Sequence, residues 1–125
     1  MIIAIDTYAW IEYFEGTVKG KKVSSIIEDK NNILITLECC LYEFKIWCLR
    51  NKLDFNKLVS IIKQDSEVKH VSLDLWLEAS NIRYNFGEDL SVVDSLIMAY
   101  QKKILCKVLT GDKHFKELKN VIFLE

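Results

Sequence analysis

The sequence predicts an α/β fold, a three-layer α/β/α arrangement with a five-stranded parallel sheet between the helices. Short runs rich in Ile and Val alternate with longer segments of helical patterning, and this alternation is typical of a parallel sheet with helices on both faces. The first and fourth runs are continuously apolar, as expected of strands buried on both sides. The chain has 125 residues, of which 50% are hydrophobic and 28% charged, and this suits one globular domain.

The elements follow this alternation along the whole chain. Each predicted strand is a short, mainly apolar run, and the five runs are 2–6, 33–36, 68–73, 106–110 and 121–124. Segments with helical patterning lie between them, at 9–14, 23–30, 37–50, 55–66, 75–86, 91–103 and, more briefly, 113–118. No repeat, low-complexity tract or linker interrupts the sequence, so we predict a single domain over residues 1–125.

Charge and cysteine content exclude several classes of protein. The net charge of −1 is too small for the chain as a whole to bind nucleic acid electrostatically, so a polyanion would need local lysines or a bound metal. The cluster Lys19-Gly20-Lys21-Lys22 is one such place, although a solvated loop or helix start explains it too. The four cysteines form no Cys-x-x-Cys pair, which indicates free thiols in a reducing cytoplasm. No apolar run approaches about 18 residues and no signal sequence is present, so we expect a cytoplasmic protein without a membrane span.

Four acidic residues lie at positions where a carboxylate is costly. Asp6 ends the first apolar strand, and Asp112 follows the strand-like run 107–110. Glu43 and Asp94 lie within apolar helical stripes. An unpaired buried carboxylate is penalised by several kcal/mol or takes up a proton. Because a bound divalent cation offsets that cost, we predict that the four acids form a metal site.

Each acid alone also has a purely structural explanation. Asp6 can cap the first helix, and Glu43 can be a glutamate at the edge of the core that reaches solvent. Asp94 can close a capping box with Ser91, and Asp112 follows a glycine, which is common turn chemistry. Coincidence is harder to accept for all four residues together than for any one of them.

The predicted topology brings two of these acids together. In a doubly wound parallel sheet, one reversal of winding leaves a crevice at the carboxyl ends of two neighbouring strands. If the first and fourth strands are those neighbours, Asp6 and Asp112 face each other there. A site built only from oxygen ligands selects hard cations such as Mg²⁺ or Mn²⁺. Such a cation can polarise a phosphoryl oxygen and supply a hydroxide-like nucleophile. This chemistry indicates phosphodiester hydrolysis.

Four strings of sequence place these acids in a recognisable order. The strings are Ile3-Ala4-Ile5-Asp6-Thr7, Thr36-Leu37-Glu38-Cys39-Cys40-Leu41-Tyr42-Glu43, Leu90-Ser91-Val92-Val93-Asp94-Ser95-Leu96-Ile97 and Leu109-Thr110-Gly111-Asp112-Lys113-His114-Phe115. The four strings extend over nearly the whole chain. Their order and spacing resemble those of the PIN-domain ribonucleases, in particular the small toxins of the VapC type.

The resemblance implies a PIN-like α/β fold, Mg²⁺- or Mn²⁺-dependent cleavage of RNA, homodimerisation and control by a partner antitoxin. The residues that map onto the acidic site of the family, as metal ligands and catalytic groups, are Asp6, Glu43, Asp94 and Asp112. Thr7 and Thr110 map onto hydroxyls that orient ligands or water.

Two departures from the family pattern lie next to the four acids. An aromatic-rich stretch at 42–47 replaces a more aliphatic one, and His114 stands where a small or acidic residue is commoner. The first would alter a groove for the partner and the second the rim of the site. We expect some of Trp10, Tyr13 and Trp47 to be partly exposed along such a groove, although membership of the core explains these side chains as well.

Other functions stay open. A phosphatase of the haloacid dehalogenase type also places Asp after its first strand, but it needs a second Asp where this chain has Tyr8. A catalytically degenerate PIN-like binding or scaffold module is disfavoured because all four acids are retained, and a housekeeping RNA-processing nuclease would have the same sequence features as a toxin. There is no Gly-x-x-x-x-Gly-Lys loop and no Gly-x-Ser-x-Gly elbow. We interpret His70 and His114 as structural or solvated, since neither has an evident nucleophile partner.

Overall fold

The computed structural model describes residues 1–125 and contains five strands and six α-helices. The strands are β1 (Ile2–Ile5), β2 (Ile33–Leu37), β3 (Glu67–Lys69), β4 (Lys107–Thr110) and β5 (Val121–Phe123). The helices are α1 (Thr7–Glu15), α2 (Val18–Glu28), α3 (Glu38–Arg50), α4 (Phe55–Asp65), α5 (Leu73–Phe86) and α6 (Val92–Ile104), with a 3₁₀ turn at Lys113–Phe115. None of the helices combines the length and the apolar character that crossing a bilayer requires.

All five strands run parallel in the order β3-β2-β1-β4-β5. The chain therefore winds from the central β1 to one edge and then returns to place β4 on the other side of β1. This is the reversal at which open α/β sheets form a crevice. Ile5 of β1 pairs with Leu109 of β4, so Asp6 and Thr110 follow at the same level. The expectation that the first and fourth strands are neighbours is confirmed.

The sheet separates two hydrophobic cores, which confirms the predicted three layers. Successive residues of β1 point to opposite faces, as the pleat requires. Ala4 belongs to the core beneath α5 and α6, whereas Ile3 and Ile5 belong to the core that contains Trp10 and Phe44 of α1 and α3. Burying one such large side chain contributes about 1.5–3 kcal/mol, so the two cores fix the sheet edge from which the acids project.

Most predicted boundaries differ from the observed ones by a few residues, and capping explains the largest differences. Helix α1 begins at Thr7 because Asp6 caps it, and α2 begins at residue 18 because the Thr17 hydroxyl accepts from Gly20 N. The third strand stops at residue 69, not 73, since Ser72 caps α5 and the Val71 N–H bonds to the Glu38 carboxylate instead of the sheet. All four cysteines are buried free thiols, as predicted.

Candidate metal centre at the carboxyl edge of the sheet

The four predicted acids line one cleft of about 550 Å³ at the carboxyl edge of the sheet. Asp6 lies directly after β1, and Asp112 lies two residues after β4. Glu43 belongs to the second turn of α3, and Asp94 to the first turn of α6. The sheet order explains this convergence, because the ends of neighbouring parallel strands open at the same edge.

Asp6 is buried, and each of its two carboxylate oxygens accepts one hydrogen bond. Its carboxylate accepts from Thr7 N at 2.7 Å through Oδ1 and from the Thr110 hydroxyl at 2.6 Å through Oδ2. Only 3% of the residue is exposed. Asp6 also caps α1, so the capping explanation holds together with its position in the cleft. The neighbouring strand ends thus fix the orientation of this carboxylate.

Glu43 reaches the same cleft from α3. Its Oε1 accepts from the Thr7 hydroxyl at 2.8 Å, and that hydroxyl also lies 3.5 Å from the Cys40 carbonyl. The residue is half-buried. The packing of α1 against α3 therefore holds Glu43 toward Asp6, and Thr7 connects the two acids through its backbone N–H and its side chain.

Asp94 and Asp112 are each held by a local cap. The Ser91 hydroxyl accepts from Asp94 N at 3.0 Å, so Ser91 is the N-cap of α6, which is the Ser91 half of the predicted capping box. Asp112 N donates to the Thr110 hydroxyl at 3.0 Å, and Asp112 Oδ1 accepts from His114 N at 2.8 Å in the 3₁₀ turn. The turn explanation of Asp112 is thus correct as well, and it aims the carboxylate into the cleft.

Gly111 allows the loop after β4 to pass close to α1. A Cβ atom at this position would lie 2.2 Å from Tyr8 Cε1, closer than real Cβ atoms approach other atoms. The Tyr8 hydroxyl accepts from Lys19 Nζ at 2.9 Å, which holds the ring in this place. A side chain at position 111 would therefore push Asp112 or Tyr8 away from its observed position.

Two further residues line the cleft: His114, which was expected only at its rim, and Asp89, which was not expected there. His114 Nδ1 lies 2.7 Å from Asp112 Oδ1 and 3.9 Å from Asp94 Oδ2. Its Nε2 lies 3.2 Å from Asp89 Oδ2, in the loop before α6. The side chain of His114 is only 14% exposed and lies among three carboxylates, so the interpretation of His114 as solvated is wrong, whereas a structural role fits its hydrogen bonds to Asp112 and Asp89. The two-residue spacing from Asp112 was the available signal for His114, whereas no local signal indicated Asp89.

Burial and the repulsion of neighbouring carboxylates raise the pKa values of Asp6, Glu43 and Asp94. Desolvation by burial is the main cause for Asp6, whose pKa rises to about 7 although the Thr110 hydrogen bond lowers it. The pKa of Asp94 also rises to about 7, first through burial and then through the charge of Asp112. Burial raises the pKa of Glu43 too, and the hydrogen bond to Asp112 raises the pKa of His114. Ionised together, these carboxylates need a cation nearby.

The donor set fits a divalent cation. None of the four acids pairs with a lysine or an arginine, and His114 is the one basic side chain within ion-pair distance of Asp94 and Asp112. One ligand atom from each of Asp94, Asp112 and His114 lies within 4.8 Å of the other two, a spacing that a single ion can bridge. Carboxylate oxygens favour hard cations such as Mg²⁺ and Mn²⁺.

The fold is similar to that of several solved structures. The chain is similar to VapC20 of Mycobacterium tuberculosis, described as a toxin that cleaves the sarcin-ricin loop, with a TM-score of 0.79, 21% identity and coverage of 98% of this chain and 99% of that one. It is similar to a toxin-antitoxin complex from Klebsiella pneumoniae (TM-score 0.76, 15% identity, 98% of both chains). VapBC2 from Rickettsia felis, bound to a DNA fragment of its promoter, gives a TM-score of 0.75, 17% identity and coverage of 98% and 97%.

Sequence comparison gives the family directly. Comparison with curated proteins yields no match for the chain. The sequence profile described as PIN domain matches residues 3–121, a span that begins within β1 and ends in β5 and so contains all four acids. The chain therefore belongs to the PIN domain family.

Proposed function

We propose that the protein is a divalent-metal-dependent endoribonuclease, the toxin of a toxin–antitoxin pair, built as one PIN-like domain over residues 1–125. The observation that carries this proposal is the convergence of Asp6, Glu43, Asp94 and Asp112 in one cleft without a lysine or arginine partner. Membership of the PIN domain family and the fold shared with VapC-type toxins support it. The retention of all four acids argues against a degenerate binding module.

In this proposal, Asp6, Asp94 and Asp112 hold Mg²⁺ or Mn²⁺ directly or through water. When bound, the ion supplies Lewis acidity to a phosphoryl oxygen and lowers the pKa of water. Glu43 binds the ion or positions the attacking water, because its Oε1 is fixed by Thr7 and its side chain opens into the cleft. In-line attack on phosphorus breaks the bond to the 3′ oxygen, so the products carry a 5′-phosphate and a 3′-hydroxyl.

The two threonines act on the orientation of the acids. The Thr110 hydroxyl donates to Asp6 and accepts from Asp112 N, which keeps both strand-end acids in register. The Thr7 hydroxyl donates to Glu43 and so fixes one of its oxygens, leaving the other free. Neither hydroxyl needs to contact RNA to have this effect.

The walls of the same cleft support the proposal of an antitoxin partner, and we include homodimerisation and a cytoplasmic location in it. The cleft is lined by apolar and aromatic side chains as well as by the acids, among them Tyr8, Ile11, Tyr42, Ile46 and Trp47. Tyr42 is 70% exposed and Trp47 is half-buried, as expected of a groove. Tyr13 is half-buried too but does not line this cleft, and Trp10 is fully buried. A bound segment would cover apolar surface and obstruct the acids together.

The experiment compares cleavage of total bacterial RNA by the parent and by Asp94→Asn, with Mg²⁺ or Mn²⁺ present and with a chelator. We expect the parent to create new 5′-phosphate ends only with metal, and Asp94→Asn to lose at least about 100-fold in rate. The matched control is Asp74→Asn, which removes an exposed carboxylate from α5, outside the cleft. Cleavage by Asp94→Asn at the rate of the parent would overturn the proposal.

A further inference from the structure

We propose that His114 is a nitrogen ligand of the ion held by Asp94 and Asp112, with Asp89 as the carboxylate that orients its ring. The inference rests on the metal dependence in the proposed function and goes beyond it, because it replaces a set of oxygens alone with a mixed nitrogen and oxygen set. It assigns roles toward the ion to His114, which the sequence pattern placed only at the rim of the site, and to Asp89, which lies outside the four motifs.

Nδ1 of His114 lies where a nitrogen ligand of an ion held by Asp94 and Asp112 would lie. It lies 2.7 Å from Asp112 Oδ1 and 3.9 Å from Asp94 Oδ2. Two ligands at about 2.1 Å from one ion lie roughly 3 to 4 Å apart when they are not opposite each other. The Asp94 separation falls in this range, and the Asp112 separation needs to open by only a few tenths of an ångström. A bound ion would take the place of the hydrogen bond between His114 Nδ1 and Asp112 Oδ1.

Asp89 supplies the arrangement that metal-bound histidines usually have. A ligating imidazole almost always donates its second N–H to a carboxylate, a carbonyl or water, and this partner fixes the tautomer and the ring orientation. Here Nε2 lies 3.2 Å from Asp89 Oδ2. With the proton on Nε2, the lone pair of Nδ1 faces Asp94 and Asp112. The edge of the ring also packs against Phe86, with 5.9 Å between ring centres, so the side chain has little freedom to turn away.

The nitrogen donor has a consequence for metal choice. Mg²⁺ prefers oxygen ligands and keeps its water, whereas imidazole suits transition metals. We therefore expect the parent protein to bind Mn²⁺ more tightly than Mg²⁺. The ratio of the Mg²⁺ to the Mn²⁺ dissociation constant should fall at least about tenfold in His114→Gln. Four carboxylates alone would give a ratio that does not depend on position 114.

The direct test is pulsed electron paramagnetic resonance of Mn²⁺ bound to the full chain labelled with ¹⁵N-histidine. The chain has only two histidines, so the assignment needs one variant and one control. We expect ¹⁵N coupling in the parent, its loss in His114→Gln and its survival in His70→Gln. His70 is an appropriate control because its side chain is 82% exposed and pairs with Glu38, away from the cleft.

A second comparison avoids any change at His114 itself. Asp89→Ala removes an exposed acceptor from the ring, and Glu88→Ala removes the same charge from the adjacent exposed residue. We expect Asp89→Ala to weaken Mn²⁺ binding about tenfold or more in calorimetry, and Glu88→Ala to weaken it less than twofold. Equal effects of the two variants would indicate a general electrostatic influence and would overturn the role of Asp89.

The results separate this inference from the proposed function. Bound Mn²⁺ without ¹⁵N coupling in the parent, or coupling that survives in His114→Gln, overturns the nitrogen ligand. If cleavage of RNA then still requires metal and Asp94, the proposed nuclease stands. If the parent binds neither Mn²⁺ nor Mg²⁺ at millimolar concentration, both the nuclease and the nitrogen ligand are rejected.

Discussion

The hydroxyl of Thr110 donates a 2.6 Å hydrogen bond to Asp6 Oδ2, across 104 residues of sequence. The Thr110 hydroxyl oxygen also accepts a hydrogen bond from Asp112 N at 3.0 Å. One side chain at the end of β4 thus links the acid that follows β1 to the acid that follows β4. The relationship is possible because β1 and β4 are neighbours in the sheet, and it makes Thr110 the link between the two strand-end acids.

Replacing Thr110 with valine tests this link. The substitution keeps the shape of the buried side chain but leaves Asp6 Oδ2 and Asp112 N without a partner. We expect Thr110→Val to lower the free energy of unfolding by about 1–3 kcal/mol and to weaken Mn²⁺ binding about tenfold, as measured by denaturant titration and calorimetry. Thr110→Ser keeps the hydroxyl and is the control. If valine binds metal as tightly as serine does, Thr110 has no orienting role.

Replacing Thr7 with valine tests the position of Glu43. The hydroxyl of Thr7 is the donor to Glu43 Oε1 at 2.8 Å, so its loss frees the carboxylate to turn. We expect Thr7→Val to lower kcat for RNA cleavage about tenfold with little change in KM, since Glu43 then positions the water less often. Thr7→Ser should cleave at nearly the rate of the parent. A raised KM with an unchanged kcat would instead place Thr7 in substrate binding.

The raised pKa values of Asp6 and Asp94 predict how stability depends on pH without metal. In the folded protein these groups keep their protons up to about pH 7, whereas in the unfolded chain they lose them near pH 4. The folded state therefore binds more protons between these values, so the free energy of unfolding falls as pH rises from 4 to 7. We expect a fall of about 2–4 kcal/mol between pH 5 and 8 in the presence of a chelator.

The raised pKa of His114 also makes the free energy of unfolding fall as pH rises. Its protonated form is favoured in the folded protein by Asp112, so stability from this source is present below about pH 6.5 and is lost as pH rises through its higher folded pKa.

The control for the pH dependence is Asp94→Asn, in which one titrating carboxylate is absent and the pH dependence should be shallower. Saturating Mn²⁺ should stabilise the parent most at high pH. Stability that rises from pH 5 to pH 8 without metal would contradict the account.

Gly111→Ala tests the close approach of Tyr8 to the loop that carries Asp112. The added Cβ would lie 2.2 Å from the Tyr8 ring, so the ring or the loop must move. We expect a loss of about 1–3 kcal/mol in the free energy of unfolding, measured by denaturant titration. In a Tyr8→Ala background the same substitution should cost less, because the clash is absent. An equal cost in both backgrounds would show that Tyr8 is not the cause.

The fold and the four acids were predictable because their signals are local. Apolar runs marked the strands, and Asp6 and Asp112 could be placed at strand ends from the residues before them. The pairing of β1 with β4 could only be assumed from the sequence, since strand order depends on packing between distant segments. The third strand was predicted too long because Val71 is as apolar as a strand residue, although its N–H bonds to Glu38 and not to the sheet.

The site was predicted less completely than the fold. His114 was interpreted as structural or solvated because no nucleophile partner for it was evident, and it was expected only at the rim of the site. Its place in the cleft depends on the 3₁₀ turn that folds it back over Asp112, and on the loop that brings Asp89 from 25 residues away. The periodicity of the sequence does not indicate contacts between such distant loops, so the tertiary structure was needed to find this part of the cleft.

A crystal structure of the protein with Mn²⁺, in which anomalous scattering locates the ion, shows directly whether the four acids share a cation. We expect an ion in the cleft within about 2.0–2.4 Å of carboxylate oxygens of Asp94 and Asp112, with Asp6 and Glu43 bound directly or through one water. An ion that binds elsewhere on the surface, with the four acids in this cleft left without metal at saturating Mn²⁺, would contradict this expectation.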